Sequence, residues 1–318
     1  MHVATSRSAS EPLRLVELPP RSLGPRDVRV AVRAIGVNPV DWKMRSGGPL
    51  RLAHRFIGPS GPLVVGVDFA GDVVEAGPRA DLKPGMRVVG ATDFSRKQLG
   101  SYATEVVVWD AQCAVIPEAV SFDDAACLPI PGATALRACS VASLAAIPRG
   151  EANVLVLGAS GGVGLVMLQV ARGMGAKTAG VCSTRNLALV ERQGAVAIDY
   201  TKGNALEAAR THGPFDLIVH AVGSATYPLG ACRAMLTPRG FVALVVVRPA
   251  DYPAMIFGRN VKAVLGRPSR STLEPLVASM AKGDLPVLIE KKFPLGDAEE
   301  AHAISAAGKV VGKLLLIP

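Results

Sequence analysis

The sequence predicts an α/β protein built on a doubly wound parallel sheet, and three observations predict it. The run Asn153-Val-Leu-Val-Leu157 enters a glycine-rich turn, Gly158-Ala-Ser-Gly161-Gly162-Val-Gly164, as a fully buried parallel strand does. Val163, Val166, Met167, Val170 and Met174 then recur at helical spacing, so the turn opens a helix with one apolar face. Beyond it strand-like and helix-like stretches alternate, the rhythm of βαβ units.

Before the turn the texture differs. Val28, Val30, Val32 and Ala34 alternate with Arg29 and Arg33, a period of two that marks a half-buried strand. Further strands are expected over Leu63–Val74, Arg87–Gly90 and Tyr102–Val108, separated by turn chemistry such as Lys83-Pro84-Gly85. Many short strands with such turns predict a compact barrel-like unit. Helical stretches Asp123–Leu128 and Ala133–Ala146 follow. After the glycine turn come a strand at Thr178–Ser183, a helix at Leu187–Gln193 and a short strand at Ala195–Ile198. Phe215–Ala221, a helix near Tyr227–Leu236, Phe241–Val247 and Val261–Leu265 complete the alternation. In the tail a helix capped by Ser271 or Thr272 runs to about Lys282, followed by Val287–Phe293, a helix at Asp297–Ala307 and a last strand, Gly312–Pro318. That mixed tail is expected to return to the first unit. The division is therefore residues 1–125 with 267–318, and 126–266 between them.

Composition narrows the function classes. The chain has 318 residues, enough for two cores, with 49% hydrophobic and 19% charged residues. Its longest apolar run, Phe241–Val247, is far short of the roughly 18–20 residues that cross a bilayer, and no signal segment opens the sequence. Five scattered cysteines without a CxxC pair suit reduced thiols, hence a cytoplasmic protein, and not a disulfide or zinc framework. The net charge of +9 is dispersed and not interleaved with aromatics, so it predicts a basic surface or a field for anionic cofactors before a nucleic-acid site.

A glycine turn between a buried strand and a helix presents backbone N–H groups to a pyrophosphate, so a dinucleotide site is expected at Ala159, Ser160, Gly161, Gly162, Val163 and Gly164. An acidic residue about 20 positions on would bind the ribose hydroxyl of NAD(H). Gly180-Val-Cys-Ser183-Thr184-Arg185-Asn186 holds no carboxylate there. Ser183 and Arg185 can donate to a 2′-phosphate, which favours NADPH; Arg185 as a solvated helix-start residue is the structural alternative. Gly223, just after Phe215–Ala221, and Val245 and Val246, which end Phe241–Val247, sit at the C-terminal ends of strands, where ligands of such sheets bind. His220 reads as a core histidine and Tyr102 as packing.

Several motifs in one order carry a resemblance: Gly36-Val-Asn38-Pro39-Val-Asp41-Trp42-Lys43, Gly66-Val-Asp68-Phe-Ala-Gly71, Lys83-Pro-Gly-Met-Arg-Val88, Gly100-Ser-Tyr102-Ala103, Pro131-Gly132-Ala-Thr134-Ala135, Gly194-Ala-Val-Ala-Ile-Asp199-Tyr200 and Val311-Gly312-Lys313. Together with the glycine turn they make nearly the whole chain resemble the zinc-independent medium-chain dehydrogenase/reductases, the quinone oxidoreductase-like group. Within it the Asn-Pro-Val-Asp-Trp-Lys segment is most similar to the alkenal and enone reductase branch. The resemblance implies a GroES-like β-barrel domain, a Rossmann domain, an active site in the cleft between them, and a dimer joined near Val261–Leu265. Ala159 stands where the generic fingerprint has its first glycine, as is usual in that branch. Asn38, Val67 and Ile130 occupy the positions of the zinc ligands in metal-dependent relatives, and none is a plausible ligand, so a metal-free site is expected. Tyr200 resembles the tyrosine that reaches the 2′-phosphate, and Thr134 the threonine near the nicotinamide.

The activity so implied is NADPH-dependent hydride transfer to quinones or to the C=C of α,β-unsaturated carbonyls, small molecules in either case. Charge then develops on an oxygen, and a donor placed there stabilises the transition state; Lys43 is the candidate, with Asn38 orienting substrate or ribose. A surface lysine and a turn asparagine are the alternatives for those two, and a structural role is expected for Asp41. Two other functions remain open: a dedicated enoyl reductase of a biosynthetic pathway, and a weakly catalytic NADPH-binding sensor or scaffold.

Overall fold

The computed structural model describes residues 2–5 and 11–318. The chain divides into two compact units, Met1–Ile130 with Pro268–Pro318, and Pro131–Arg267.

In the first unit the hub is the eleven-residue strand Asp27–Val37. Its alternating half pairs with both Asp68–Ala76 and Glu105–Trp109, one on each edge. Further along, the edge shared with Glu105–Trp109 pairs instead with Lys313–Ile317. The C-terminal strand is therefore part of the first unit's seven-stranded sheet, and Arg87–Ala91, Cys113–Val115 and Ile289–Pro294 complete it. The barrel-like expectation is met by this branched sheet; no pairing among the described residues closes it on itself. Val28, Val30, Ile35, Phe69 and Leu316 fill its core, while Arg29 and Arg33 on the other face pair with Glu75 at 2.9 Å and Asp72 at 2.8 Å. The last four residues of the hub strand are all buried, so the chain enters the Asn38–Lys43 segment from inside the core.

The second unit is the doubly wound sheet that the alternation predicted. Six parallel strands lie in the order Val196–Asp199, Lys177–Cys182, Asn153–Leu157, Phe215–His220, Leu236–Leu244, Val261–Ala263. The order reverses beside Asn153–Leu157, which puts the glycine turn at the switch point.

The differences from expectation have local causes. Gly48–Ile57 is a helix in a stretch given no element from the sequence, its amphipathic pattern masked by Gly47-Gly48-Pro49 at its start. Ala205–Arg210 is a helix announced only by its cap: the Asn204 side chain accepts from the N–H groups of Leu206 and Glu207. Tyr252–Phe257 is a third unexpected helix. The helix expected to run to about Lys282 starts at Arg270 with Ser269 as N-cap, two or three residues before the expected cap. Tyr102 lies ahead of its strand, which begins at Glu105.

Candidate functional site

In the first unit, the hub strand ends at Val37 and a short helix, Pro39–Arg45, begins after Asn38. Pro39 is tolerated because the first helical N–H groups have no intrahelical partner anyway. The Asp41 carboxylate reaches back to accept the Asn38 N–H at 2.8 Å, the backward half of a capping box.

Beneath this helix lies a buried polar network. The Asn38 amide donates to Asp68 Oδ2 at 2.8 Å and to the Gly36 carbonyl at 3.3 Å, while its oxygen accepts from Lys313 Nζ at 2.7 Å. Lys313 also donates to the Val37 carbonyl at 2.9 Å and lies 3.7 Å from Asp68 Oδ2. The second Asp68 oxygen accepts the Ile130 N–H at 3.1 Å. Tyr102 donates its hydroxyl to Asp41 Oδ2 at 3.2 Å and stands 3.0 Å from His302 Nε2. With the phenol proton directed to Asp41, His302 carries its proton on Nε2 and leaves Nδ1 as a buried acceptor without a partner; Asp41 Oδ1 is another.

Burial dominates the electrostatics. It pushes the Asp41 carboxyl up to about 7, with Asp68 nearby adding to the rise and the Asn38 N–H opposing it. Burial also raises Asp68 to about 6, against the pull of Lys313 and Asn38. His302 falls to about 4 because burial, and then Arg45, disfavour its cation. Asn38, only 2% exposed, has both ends of its amide engaged. Its place is that of a positioning residue between Asp68 and Lys313, not of a contact open to substrate.

Lys43 is set differently. It is half-buried, lies 5.5 Å from the Trp42 ring centre, and has no carboxylate within ion-pair distance among the described residues. Partial burial lowers its pKa. The helix Ala298–Ala306 holds the turn that carries it: Arg45 meets Glu299 at 2.7 Å and Trp42 Nε1 donates to Ser305 Oγ at 3.2 Å.

In the second unit the turn residues fall into two groups. Ala159 is fully buried, and Gly164 has no room for a side chain, since an added Cβ would stand 2.3 Å from the Gly158 carbonyl. The extra methyl of Ala159 is accommodated by Gly180 on the neighbouring strand, where any Cβ would come within 2.6 Å of it. Ser160, Gly161, Gly162 and Val163 remain partly exposed. A Cβ on Gly161 would meet only the Gly158 carbonyl, at 3.6 Å, so space is open in front of the N-terminus of helix Gly162–Gly173. Such a cradle fits a pyrophosphate.

Around it the sequence-predicted residues converge in part. The Asn186 amide donates to Ser160 Oγ at 3.0 Å and Ser183 Oγ at 3.3 Å, joining the turn to the next strand end. Arg185 and Tyr200 are exposed. Gly223 takes a positive φ of 95° and lies beside Val246, and Val245 follows the end of its strand, its N–H bonded to the His220 carbonyl at 3.1 Å. His220 is fully buried: Nδ1 accepts the Gly223 N–H and Nε2 faces the Tyr227 carbonyl at 2.9 Å, so it fixes the loop as a neutral ring. Thr134 is 3% exposed and packed under Gly266, whose Cα would carry a Cβ only 2.6 Å from the threonine hydroxyl.

Sequence reasoning gave no role to Asp68, Lys313, His302 or Asp199. For the first two the signal was present, since a charged residue inside an apolar strand calls for a buried partner. Asp199 aligns with Cys182 across the sheet, and its carboxylate accepts from Thr184 Oγ1 at 2.6 Å and from the Thr201 N–H at 2.9 Å. A carboxylate therefore does stand beside the Ser183–Arg185 turn, contributed by the adjacent strand.

Two family models match the chain: an alcohol dehydrogenase GroES-like domain over residues 24–118 and a zinc-binding dehydrogenase over residues 193–316. Among the described residues, His, Cys, Asp and Glu form no group of three able to hold a metal. A chloroplast envelope quinone oxidoreductase homolog of Arabidopsis thaliana is 30% identical, covering 96% of this chain and 94% of that protein. A trans-enoyl reductase of Aspergillus terreus is 32% identical, covering 93% and 87%. The solved quinone oxidoreductase of Coxiella burnetii superposes with a TM-score of 0.87 at 26% identity, over 100% of this chain and 98% of that one.

Proposed function

The chain belongs to the medium-chain dehydrogenase/reductase family, and from that premise we propose that this oxidoreductase is a zinc-independent, NADPH-dependent reductase of quinones or α,β-unsaturated carbonyls. The observation that carries the reading is Lys43, a half-buried ammonium without a carboxylate partner among the described residues, on a helix held by buried hydrogen bonds.

NADPH, when bound, supplies the hydride. The helix start at Gly162–Val163 holds its pyrophosphate, the Gly161 N–H being bonded within the turn to the Gly158 carbonyl at 3.2 Å, and Ser160 and Ser183, aligned by Asn186, present hydroxyls alongside. Arg185 and Tyr200 are the residues for the 2′-phosphate; Asp199 opposes that phosphate, though its charge is tied to Thr184 and Thr201. Gly223, Val245 and Val246 form the wall past the strand ends. Lys43 donates to the oxygen on which charge accumulates as the acceptor is reduced, and its fall in pKa brings it nearer to proton transfer. Metal independence rests on Asn38, Val67 and Ile130 where ligands would stand: Asn38 is engaged with Asp68 and Lys313, and the other two side chains have no donor atom.

The trans-enoyl reductase relative favours one second reading, a reductase dedicated to an enoyl substrate. Five free, buried cysteines suit a reducing cytoplasm. The edge strand Val261–Ala263, near exposed Phe257 and Leu265, suits a homodimer.

The test is NADPH oxidation with 9,10-phenanthrenequinone and with simple enones. Lys43→Ala should lower kcat/KM by roughly 100-fold, as expected for loss of one transition-state donor, with NADPH affinity unchanged. A loss below threefold removes Lys43 from the mechanism, and no turnover of either acceptor class removes the general-reductase reading.

A further inference from the structure

A cavity of about 460 Å³ opens in the first unit, lined by no residue of the helix Pro39–Arg45, and its lining is strongly cationic. Arg21, Arg26, Arg79 and Arg96 all border it, against one carboxylate, Asp27. They come from three separate segments: the approach to the hub strand (Arg21 and Arg26), the turn after Asp68–Ala76 and the short turn Phe94–Arg96. Neighbours in sequence can share a charge by chance of composition; three segments converging on one concavity concentrate it in space.

The existing counter-charges do not neutralise the four. Asp27 is already engaged, accepting the Gly24 N–H at 2.8 Å. Asp81 stands 4.0 Å from Arg26 and also pairs with Arg270, and Asp93 stands 3.9 Å from Arg96. Both are exposed pairs at the limit of contact, and such pairs are weak. Arg21 directs one N–H to the Lys97 carbonyl at 2.6 Å, which leaves the rest of its fork. Arg79 has no side-chain partner among the described residues. Guanidinium groups stay charged at any ordinary pH, so the site keeps a standing excess of positive charge.

The backbone beneath the arginines is fixed. Asp27 and Gly24 close a turn at 3.1 Å, the Arg79 N–H donates to the Pro25 carbonyl at 2.7 Å, and the Asp110 N–H donates to the Arg26 carbonyl at 2.9 Å. The Arg96 guanidinium carbon lies 4.4 Å from the centre of the Trp109 ring, a contact that helps to hold its donors in place. The wall behind is Gln98, 7% exposed, its amide bonded to Gln112 at 2.6 Å. A preorganised set of planar donors with little counter-charge matches an anion that offers several oxygens.

We propose that this cavity is a binding site for a small multivalent anion carrying two or more phosphate or carboxylate groups, distinct from the glycine turn of the second unit. Such a ligand relieves the mutual repulsion of the four guanidiniums, and its affinity falls as salt screens the charges.

The experiment is titration calorimetry of the full chain at low and at physiological salt, with inorganic pyrophosphate in one arm and citrate in the other. With the glycine turn filled by excess NADPH, one equivalent should bind at low salt in at least one arm, and the stronger arm tells phosphate from carboxylate recognition. The double variant Arg26→Ala/Arg79→Ala should bind about tenfold more weakly or worse, the effect of losing charge-assisted hydrogen bonds, with its melting temperature unchanged. Arg79→Ala alone, which breaks no ion pair, serves if the double variant melts early, and should weaken binding at least about threefold. Arg185→Ala, in the second unit, should leave binding as it is. Absence of binding in both arms, equal binding by the arginine variants, or loss of binding in Arg185→Ala would overturn the proposal.

Discussion

The polar network under helix Pro39–Arg45 and the glycine turn at Gly158–Gly164 are built on opposite principles. In the first, Asn38, Asp41, Asp68, Tyr102, His302 and Lys313 are buried, 6% exposed at most, and they bond chiefly to one another. In the second, few side chains take part, and N–H groups at a helix start face open space. A residue type that looks chemical in the sequence is therefore a poor guide to what meets a ligand. Asn38 has the more suggestive chemistry, yet its amide is engaged with Asp68, Gly36 and Lys313. Gly161 has none, yet an added Cβ there would reach nothing closer than 3.6 Å.

The sharpest way to break the contrast is to unpair the first region. Lys313→Met should destabilise the protein by roughly 3–5 kcal/mol, because it leaves Asp68 buried with its cation gone, and urea unfolding measures it. A cost below about 1 kcal/mol would mean that the pair is hydrated or marginal. Asp68→Asn with Lys313→Met should recover part of the loss, since no buried charge then stands alone.

The same region should titrate where the turn does not. Asp41 and Asp68 are raised from the usual carboxylate range to about 7 and about 6. The stability they contribute is complete below about pH 4 and is lost as pH rises through those values. His302, lowered to about 4, acts in reverse: its contribution is present above about 6.5 and is lost as pH falls towards 4. The melting temperature of Asp41→Asn relative to the parent should therefore rise between pH 5 and pH 8, and that of His302→Gln should fall between pH 4.5 and pH 7.5. Parallel curves for parent and variants would show that these groups keep ordinary pKa values.

For the turn, paired glycine variants separate fold from ligand. Gly161→Ala adds a methyl into open space, so its melting point should hold while NADPH affinity drops about tenfold, a methyl now standing where phosphate approaches the backbone. Gly164→Ala places its methyl 2.3 Å from the Gly158 carbonyl and should lower both. Equal behaviour of the two would erase the division of the turn into a packed half and an open half.

Much of this was legible in the sequence because it depends on periodicity. The sheet of the second unit follows from apolar runs separated by helical spacing, and the glycine turn from its place between strand and helix. The buried network was not legible, because its members lie at positions 38, 41, 68, 102, 302 and 313 and meet only when the C-terminal strand pairs with the hub strand. The compensation of Ala159 by Gly180 hides in the same way. Short helices such as Ala205–Arg210 escaped because a single cap, not a long amphipathic stripe, specifies them.

Asp199 is where the two styles of construction meet, since it is a carboxylate tied by local donors yet exposed next to the open turn. Its oxygens accept from Thr184 Oγ1, Thr201 Oγ1 and the Thr201 N–H, and the Thr184 hydroxyl is the first of the bonds that hold its pKa below the usual value. The charge therefore persists at neutral pH, beside the residues expected to meet a 2′-phosphate. Asp199→Asn removes the charge and keeps one oxygen that can still accept from Thr201, while its NH2 can donate to Thr184 Oγ1 in place of the bond that Asp199 accepts. Its KM for NADPH should fall by about threefold at low salt, a modest gain because exposed charges are screened, while KM for NADH stays within error. An equal fall for both cofactors would place the effect on the turn's conformation. A rise for NADH alone would make Asp199 the ribose ligand, and the 2′-phosphate would lose its place beside Ser183 and Arg185.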